Sequence, residues 1–222
     1  MHGGGYYFGS SLTTHRLGLA LLAKHTGITC HSIDYRLAPD YPYPAALDDA
    51  IIAYQDIVNN YPTSRIIIAG DSAGGGLGLA LMMKLRDSNG RLPDEAVLFS
   101  PWSDLNCLGE SFDSKAKADP MFTPSMLRDC SHYYAPEGID MTHPYVSPAY
   151  GDFADLPRML IVCGGNEILL SDSEDLVDKA KAAGVDVEFA LWPNMFHDWW
   201  LFGRFIPETK QCLTKVSLWL DN

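Results

Sequence analysis

The sequence predicts an α/β domain, a mostly parallel sheet flanked by helices, and three observations carry that prediction. Short apolar runs suited to burial on both faces of a sheet alternate with longer segments of helical period. A Gly-x-Ser-x-Gly turn joins one such run directly to one such helix, at Gly70 to Gly74. The 222 residues, 47% hydrophobic and 20% charged, suit one domain with ample core.

Taken in chain order, Thr13 to Thr26 reads as a helix with Leu17, Leu19, Ala20 and Leu22 available for burial, and Ile28 to Asp34 as a strand. Pro44 to Asn60 is a second helix, its proline near the first turn, where a missing N–H does no harm. Strands follow at Arg65–Ala69, Ala96–Ser100, Met159–Cys163 and Val187–Leu191. The helices between and after them are Ala73–Asp87, Ser171–Ala183 and Glu208–Leu220. There is no repeat and no low-complexity linker, and the alternation argues a parallel arrangement. Only 101–156 breaks the pattern, into loops and short helices rich in Pro, Asp, Met and aromatics.

Charge and composition exclude several function classes. A formal net charge of −12 argues against nucleic-acid partners, which require basic surface. No apolar run is long enough to span a bilayer, and no charged segment followed by an apolar stretch opens the chain, so no membrane partner and a cytoplasmic location are expected. The five cysteines are widely spaced and form no C-x-x-C pair, which reads as reduced packing residues rather than a disulfide framework or zinc site.

The chemistry starts at Ser72. A tight turn between strand and helix throws a serine Oγ clear of the backbone at the carboxyl end of a buried strand, and close approach there demands small neighbours, which Gly70 and Gly74 supply. At the start of the chain, His2-Gly3-Gly4-Gly5 has the composition of a turn whose backbone N–H groups can converge on a developing oxyanion, each donor being worth roughly 3 kcal/mol of barrier. Gly4, Gly5 and Ala73 are the expected donors.

Four motifs in order, His2-Gly-Gly-Gly-Tyr6, Asp34-Tyr35-Arg36-Leu37-Ala38-Pro39, Gly70-Asp-Ser-Ala-Gly74-Gly75 and Phe196-His197-Asp198, resemble the hormone-sensitive-lipase-like (family IV) esterases of the α/β-hydrolase superfamily over essentially the whole chain. The resemblance implies an α/β-hydrolase fold and carboxylester hydrolysis on short acyl chains, with a small-molecule ester as partner and no cofactor. It implies the order serine, acid, histidine, and His197, in the loop between the last strand and the last helix, is the histidine that fits. Glu167 follows the strand Met159–Cys163 and is the preferred acid, with Asp172 the competitor at a position that also suits a helix cap. Asp198, adjacent to the base, is expected not to fold back onto its neighbour's ring.

The resemblance further implies that 101–156 forms a lid and acyl pocket, with Trp102, Met121, Phe122 and Tyr133 as lining candidates, and that Tyr6 and Tyr7 shape the alcohol side. Arg36 with Asp48 or Asp49 is expected to form a buried or half-buried ion pair, and Asp71 to brace the turn at Ser72 through hydrogen bonds. Relatives carry a long stretch before the His-Gly-Gly-Gly motif, holding a cap and the first strands. One of those strands lies between the equivalents of Ile28–Asp34 and Arg65–Ala69, so here these two are expected to pair directly or to be covered by another subunit, ahead of the chain being a fragment of a longer product, and a homo-oligomer is expected. A ligand-binding protein on an impaired hydrolase scaffold is the alternative function.

Overall fold

A computed structural model describes residues 1–222. Four strands, β1 (Ile67–Asp71), β2 (Glu95–Phe99), β3 (Arg158–Gly164) and β4 (Val187–Trp192), form one sheet in the order β1-β2-β3-β4 with every pair parallel. Parallel neighbours need crossovers, and each is made by the helical or irregular segment between consecutive strands. The period of two along each strand separates two cores. Ile68, Ala96, Leu98, Met159 and Ile161 face one side, with the helices α2 (Ala45–Asn60), α3 (Ala73–Asp87) and α6 (Leu170–Ala182). Val97, Phe99, Leu160 and Val162 face the other, with α1 (Arg16–Thr26) and α7 (Pro207–Leu220).

The predicted elements therefore form within three residues of their expected bounds, with two differences. In α1 the buried positions are Gly18 and Leu22, while Leu17 is half exposed and Ala20 faces solvent. Gly18 explains this: a Cβ there would lie 2.9 Å from the Trp200 ring, so the helix docks through its glycine and turns Leu17 outward. The second difference is that Ile28–Asp34 forms no strand. It runs as irregular chain beside a cavity of about 390 Å³ lined by Ile28, Cys30, Ile67 and Ala69 among others, and β1 stays an edge strand. A strand exists only through hydrogen bonds to a neighbour, and across this gap there is none to make them. Direct pairing of the two segments does not occur. The Met1 ammonium donates to the Ala69 carbonyl at 2.6 Å instead.

The segment 101–156 carries two short helices, α4 (Ser111–Ser114) and α5 (Pro124–Tyr134), and a single 3₁₀ turn at Pro148–Tyr150. It is fastened to α6 by the buried Asp172, whose Oδ2 accepts from the N–H of Ser103 (2.7 Å) and of Asp104 (2.9 Å). The Arg36–Asp49 pair forms as expected, bidentate and at 2.8 Å, and it is half-buried, the Arg36 side chain being 46% and the Asp49 side chain 23% exposed. Asp49 also accepts from the Arg36 N–H, which ties the loop to α2. All five cysteines are free; four are buried, and Cys30 is exposed and so fills no core position. No helix is long and apolar enough to cross a membrane.

Candidate active site

Parallel strands end on the same edge of the sheet, so residues just beyond the carboxyl ends of β1, β3 and β4 gather there. Ser72 follows β1 and opens α3 with φ 53° and ψ −125°, a strained conformation for a residue with a Cβ. Its N–H donates to the Phe99 carbonyl at 2.9 Å, which locks the turn to β2. Gly70 makes the turn possible, because a Cβ there would strike the backbone of Gly74 and Gly75. Ser72 is buried and its Oγ makes no hydrogen bond.

His2 to Gly5 lie directly against this turn. A Cβ on Gly74 would lie 2.6 Å from the His2 carbonyl oxygen, and one on Gly3 would come within 3.0 Å of the Ser72 Cβ. Asp71, expected to brace the turn at Ser72, instead holds the glycine loop against it: its Oδ2 accepts from the Gly3 N–H at 3.0 Å and contacts His15 Nε2 at 2.9 Å. Burial opposes charge on His15, yet the Asp71 contact raises its pKa above the ordinary imidazole value. Gly4 and Gly5 have φ of 107° and 61°, accessible to glycine at little cost, and their N–H groups have no acceptor within the protein. Ala73 occupies the first position of α3, where an N–H has no intrahelical acceptor.

Beyond β3 and β4 two loops are laced together. Gly165 donates to the Trp192 carbonyl at 2.8 Å and Asn166 to the Met195 carbonyl at 2.9 Å. This lacing carries His197 to Glu167, whose Oε2 lies 2.7 Å from His197 Nδ1. Glu167 is fully buried, and its other oxygen accepts from Ser100 Oγ at 2.8 Å and from the Gly164 N–H. Such donors fix the direction of the carboxylate. Asp172, the competing acid, points away to Ser103 and Asp104, and its burial raises its pKa to about 7. Of the two carboxylates, only Glu167 meets the histidine.

The expectation for Asp198 is overturned. A left-handed backbone, φ 53° and ψ 33°, folds its carboxylate back so that Oδ2 lies 2.9 Å from His197 Nε2. The oxygen sits off the N–H direction, and Nε2 is left without an aligned hydrogen bond, as is Ser72 Oγ. Burial alone would lower the His197 pKa, but Asp198 and Glu167 together hold it well above the ordinary imidazole value. Burial drives Asp198 the opposite way, to about 7.

Of the lining candidates, Phe122 packs edge-on against the His197 ring at 5.0 Å and Trp102 is fully buried beside Tyr6. Met121 and Tyr133 are exposed, Tyr133 lying 5.0 Å from Tyr7 at the rim. Tyr6 is buried in a stack with Tyr134 at 3.8 Å. Sequence reasoning missed Ser100, Gly164 and His15. A Cβ on Gly164 would lie 2.8 Å from Glu167 Oε1, so its glycine, next to the predicted acid, was the available signal.

Residues 1–201 match the model of a family with the α/β-hydrolase fold. The chain belongs to the α/β-hydrolases, in their hormone-sensitive-lipase-like branch. This hydrolase is 38% identical to an acetyl-hydrolase of Streptomyces hygroscopicus over 99% of its own length and 73% of the relative's. It is 36% identical to an esterase of Acinetobacter venetianus, over 98% and 72% of the two chains. The crystal structure of an esterase from the bacterial hormone-sensitive lipase family superimposes with a TM-score of 0.95 at 40% identity, covering 99% of this chain and 74% of that one.

Proposed function

We propose that this hydrolase is a serine carboxylesterase that cleaves short-chain acyl esters through an acyl-enzyme intermediate. One observation carries the reading: the buried Glu167–His197 pair stands at the edge of the sheet where Ser72 sits on a strained turn with an unengaged hydroxyl. Relatives named acetyl-hydrolase and esterase support the same chemistry.

In the first half-reaction His197 Nε2 takes the Ser72 proton while Glu167 holds the ring through Nδ1 and stabilises the imidazolium. Ser72 Oγ bonds to the ester carbonyl carbon, and the oxyanion is held by the N–H groups of Gly4, Gly5 and Ala73. The C–O bond to the alcohol then breaks, and the alcohol leaves with the proton from His197. Water enters, gives its proton to His197, attacks the acyl carbon and releases the acid, with the proton returned to Ser72. The 101–156 segment serves as lid and acyl pocket, with Phe122 packed against the His197 ring. The enzyme works in the cytoplasm as a homo-oligomer, joined through exposed apolar side chains such as Leu12 and Phe205; a monodisperse monomer in analytical ultracentrifugation refutes the assembly.

A second reading, ligand binding on an impaired scaffold, is favoured by the contact of Nε2 with Asp198 in place of Ser72. Hydrolysis of p-nitrophenyl esters from acetate to decanoate, run beside Ser72→Ala, separates the two. Turnover of the short esters that disappears in the variant supports the esterase, and a folded protein inert on all of them supports the binding role.

A further inference from the structure

We propose that Asp198 is a positioning residue that competes with Ser72 for Nε2 of His197, holding the base as an imidazolium until its carboxylate is withdrawn. The inference rests on the triad reading above and adds the element that decides when the triad is competent.

The geometry is local and specific. Asp198 follows His197 directly, and only its left-handed backbone brings a side chain that normally diverges from its neighbour to within 2.9 Å of Nε2. That nitrogen is the one that must accept the Ser72 proton, and it makes no hydrogen bond to Ser72 Oγ. Asp198 is itself buried, and its Oδ1 has no donor. A buried carboxylate with one oxygen unpartnered and the other against an imidazole holds a proton on the pair rather than releasing it. His197 is then flanked by carboxylates on both ring nitrogens, Glu167 on Nδ1 and Asp198 on Nε2.

The other titratable groups facing this pair do not cancel the effect. From the end of β1, Asp71 adds negative charge, and from the segment before α1, His15 is paired to Asp71. Burial depresses the pKa of His2 and of the Met1 amine beside Asp71, so neither is a reliable counter-charge for Asp198. Cys163, which reaches Glu167 Oε1 at 3.3 Å, is pushed well above its ordinary value by burial and stays a neutral thiol. The proton shared by Asp198 and His197 belongs to the pair, and catalysis begins only after it is lost and Nε2 is free for Ser72.

The sign follows. Removing the Asp198 charge weakens proton retention by His197, so the neutral base persists to lower pH. In Asp198→Asn the midpoint of the acid limb of kcat/KM for p-nitrophenyl acetate falls by about one pH unit or more. At a pH below the wild-type midpoint the variant therefore keeps a larger fraction of its own plateau rate, about ten-fold larger where the midpoint lies one pH unit lower. A merely structural role for Asp198 lowers the plateau and leaves the limb in place.

The second measurement needs no turnover. The His197 imidazole is titrated by nuclear magnetic resonance in Ser72→Ala and in Ser72→Ala/Asp198→Asn, and the midpoint falls by about one pH unit or more here too. An unmoved limb in an active enzyme, or an unmoved His197 titration, overturns the proposal. If wild type proves inert on every ester while the titration still moves, the esterase reading fails and the role of Asp198 stands. Should Asp198→Asn not fold, Asp198→Ser in the same titration gives the same two outcomes.

Discussion

Replacing Glu167 by Gln tests the acid assignment with a nearly isosteric change. In the native site Oε1 accepts from Ser100 Oγ at 2.8 Å and from the Gly164 N–H, and Oε2 meets His197 Nδ1 at 2.7 Å. A glutamine satisfies Ser100 and Gly164 only with its carbonyl oxygen, so its NH₂ must face Nδ1. An amide donor at Nδ1 selects the tautomer protonated at Nε2, which cannot accept the Ser72 proton. The corresponding Asp-to-Asn change in the serine protease triad costs about 10⁴ in kcat by this route, or about 5 kcal/mol of barrier. A loss of the same order is expected here, with KM little changed because the group does not bind the ground state. The assay is steady-state hydrolysis of p-nitrophenyl acetate by Glu167→Gln and, in parallel, by Asp172→Asn, whose oxygen faces Ser103 and Asp104 instead of the histidine. Asp172→Asn should stay within an order of magnitude of wild type. The reasoning fails if Glu167→Gln retains kcat within ten-fold of wild type, or if Asp172→Asn suffers the greater loss.

Gly74→Ala places a methyl 2.6 Å from the His2 carbonyl oxygen and should push the glycine loop off the turn. The expected result is a loss of kcat of about 10² or more, the worth of a displaced oxyanion donor, with unchanged secondary structure by circular dichroism. Phe122→Ala removes a ring that is buried and packed on His197, so urea denaturation should show about 3 kcal/mol lost, and the preference among acyl chain lengths should change. Glu95 is buried between Arg65 (2.7 Å) and Arg158 (2.9 Å); burial opposes its charge, but the two guanidiniums prevail and lower its pKa. A lowered carboxylate pKa contributes stability that is complete above the unfolded value and is lost as pH falls through the folded one. Thermal melting should therefore decline below about pH 4.3, and Glu95→Gln should flatten that decline.

The helices and most strands were legible because their signals are local. A helix closes its hydrogen bonds within its own segment, and Ala73–Asp87 is found with the bounds the sequence predicts. The paired glycine motifs and Ser72 were legible for a related reason: a turn with a special backbone leaves glycines at fixed offsets, whereas the glycine-free loop bearing His197 was legible from its place after the last strand. Ile28–Asp34 was misread because an apolar run of strand period says nothing about whether a neighbour stands beside it. Asp198 was misread because adjacency was weighed without the left-handed backbone that reverses its side chain.

From its sequence alone, this protein is an α/β-hydrolase with one tight turn for a nucleophile and one loop for a base. Glu167 over Asp172, the bracing of the glycine loop by Asp71 and His15, and the carboxylate on Nε2 were decided only by the tertiary structure. These contacts join residues dozens of positions apart, or depend on a single backbone torsion. Their partners are chosen by which loops the parallel sheet brings to one edge and by which buried charges must find a donor there, and neither is written in the spacing of residues along the chain.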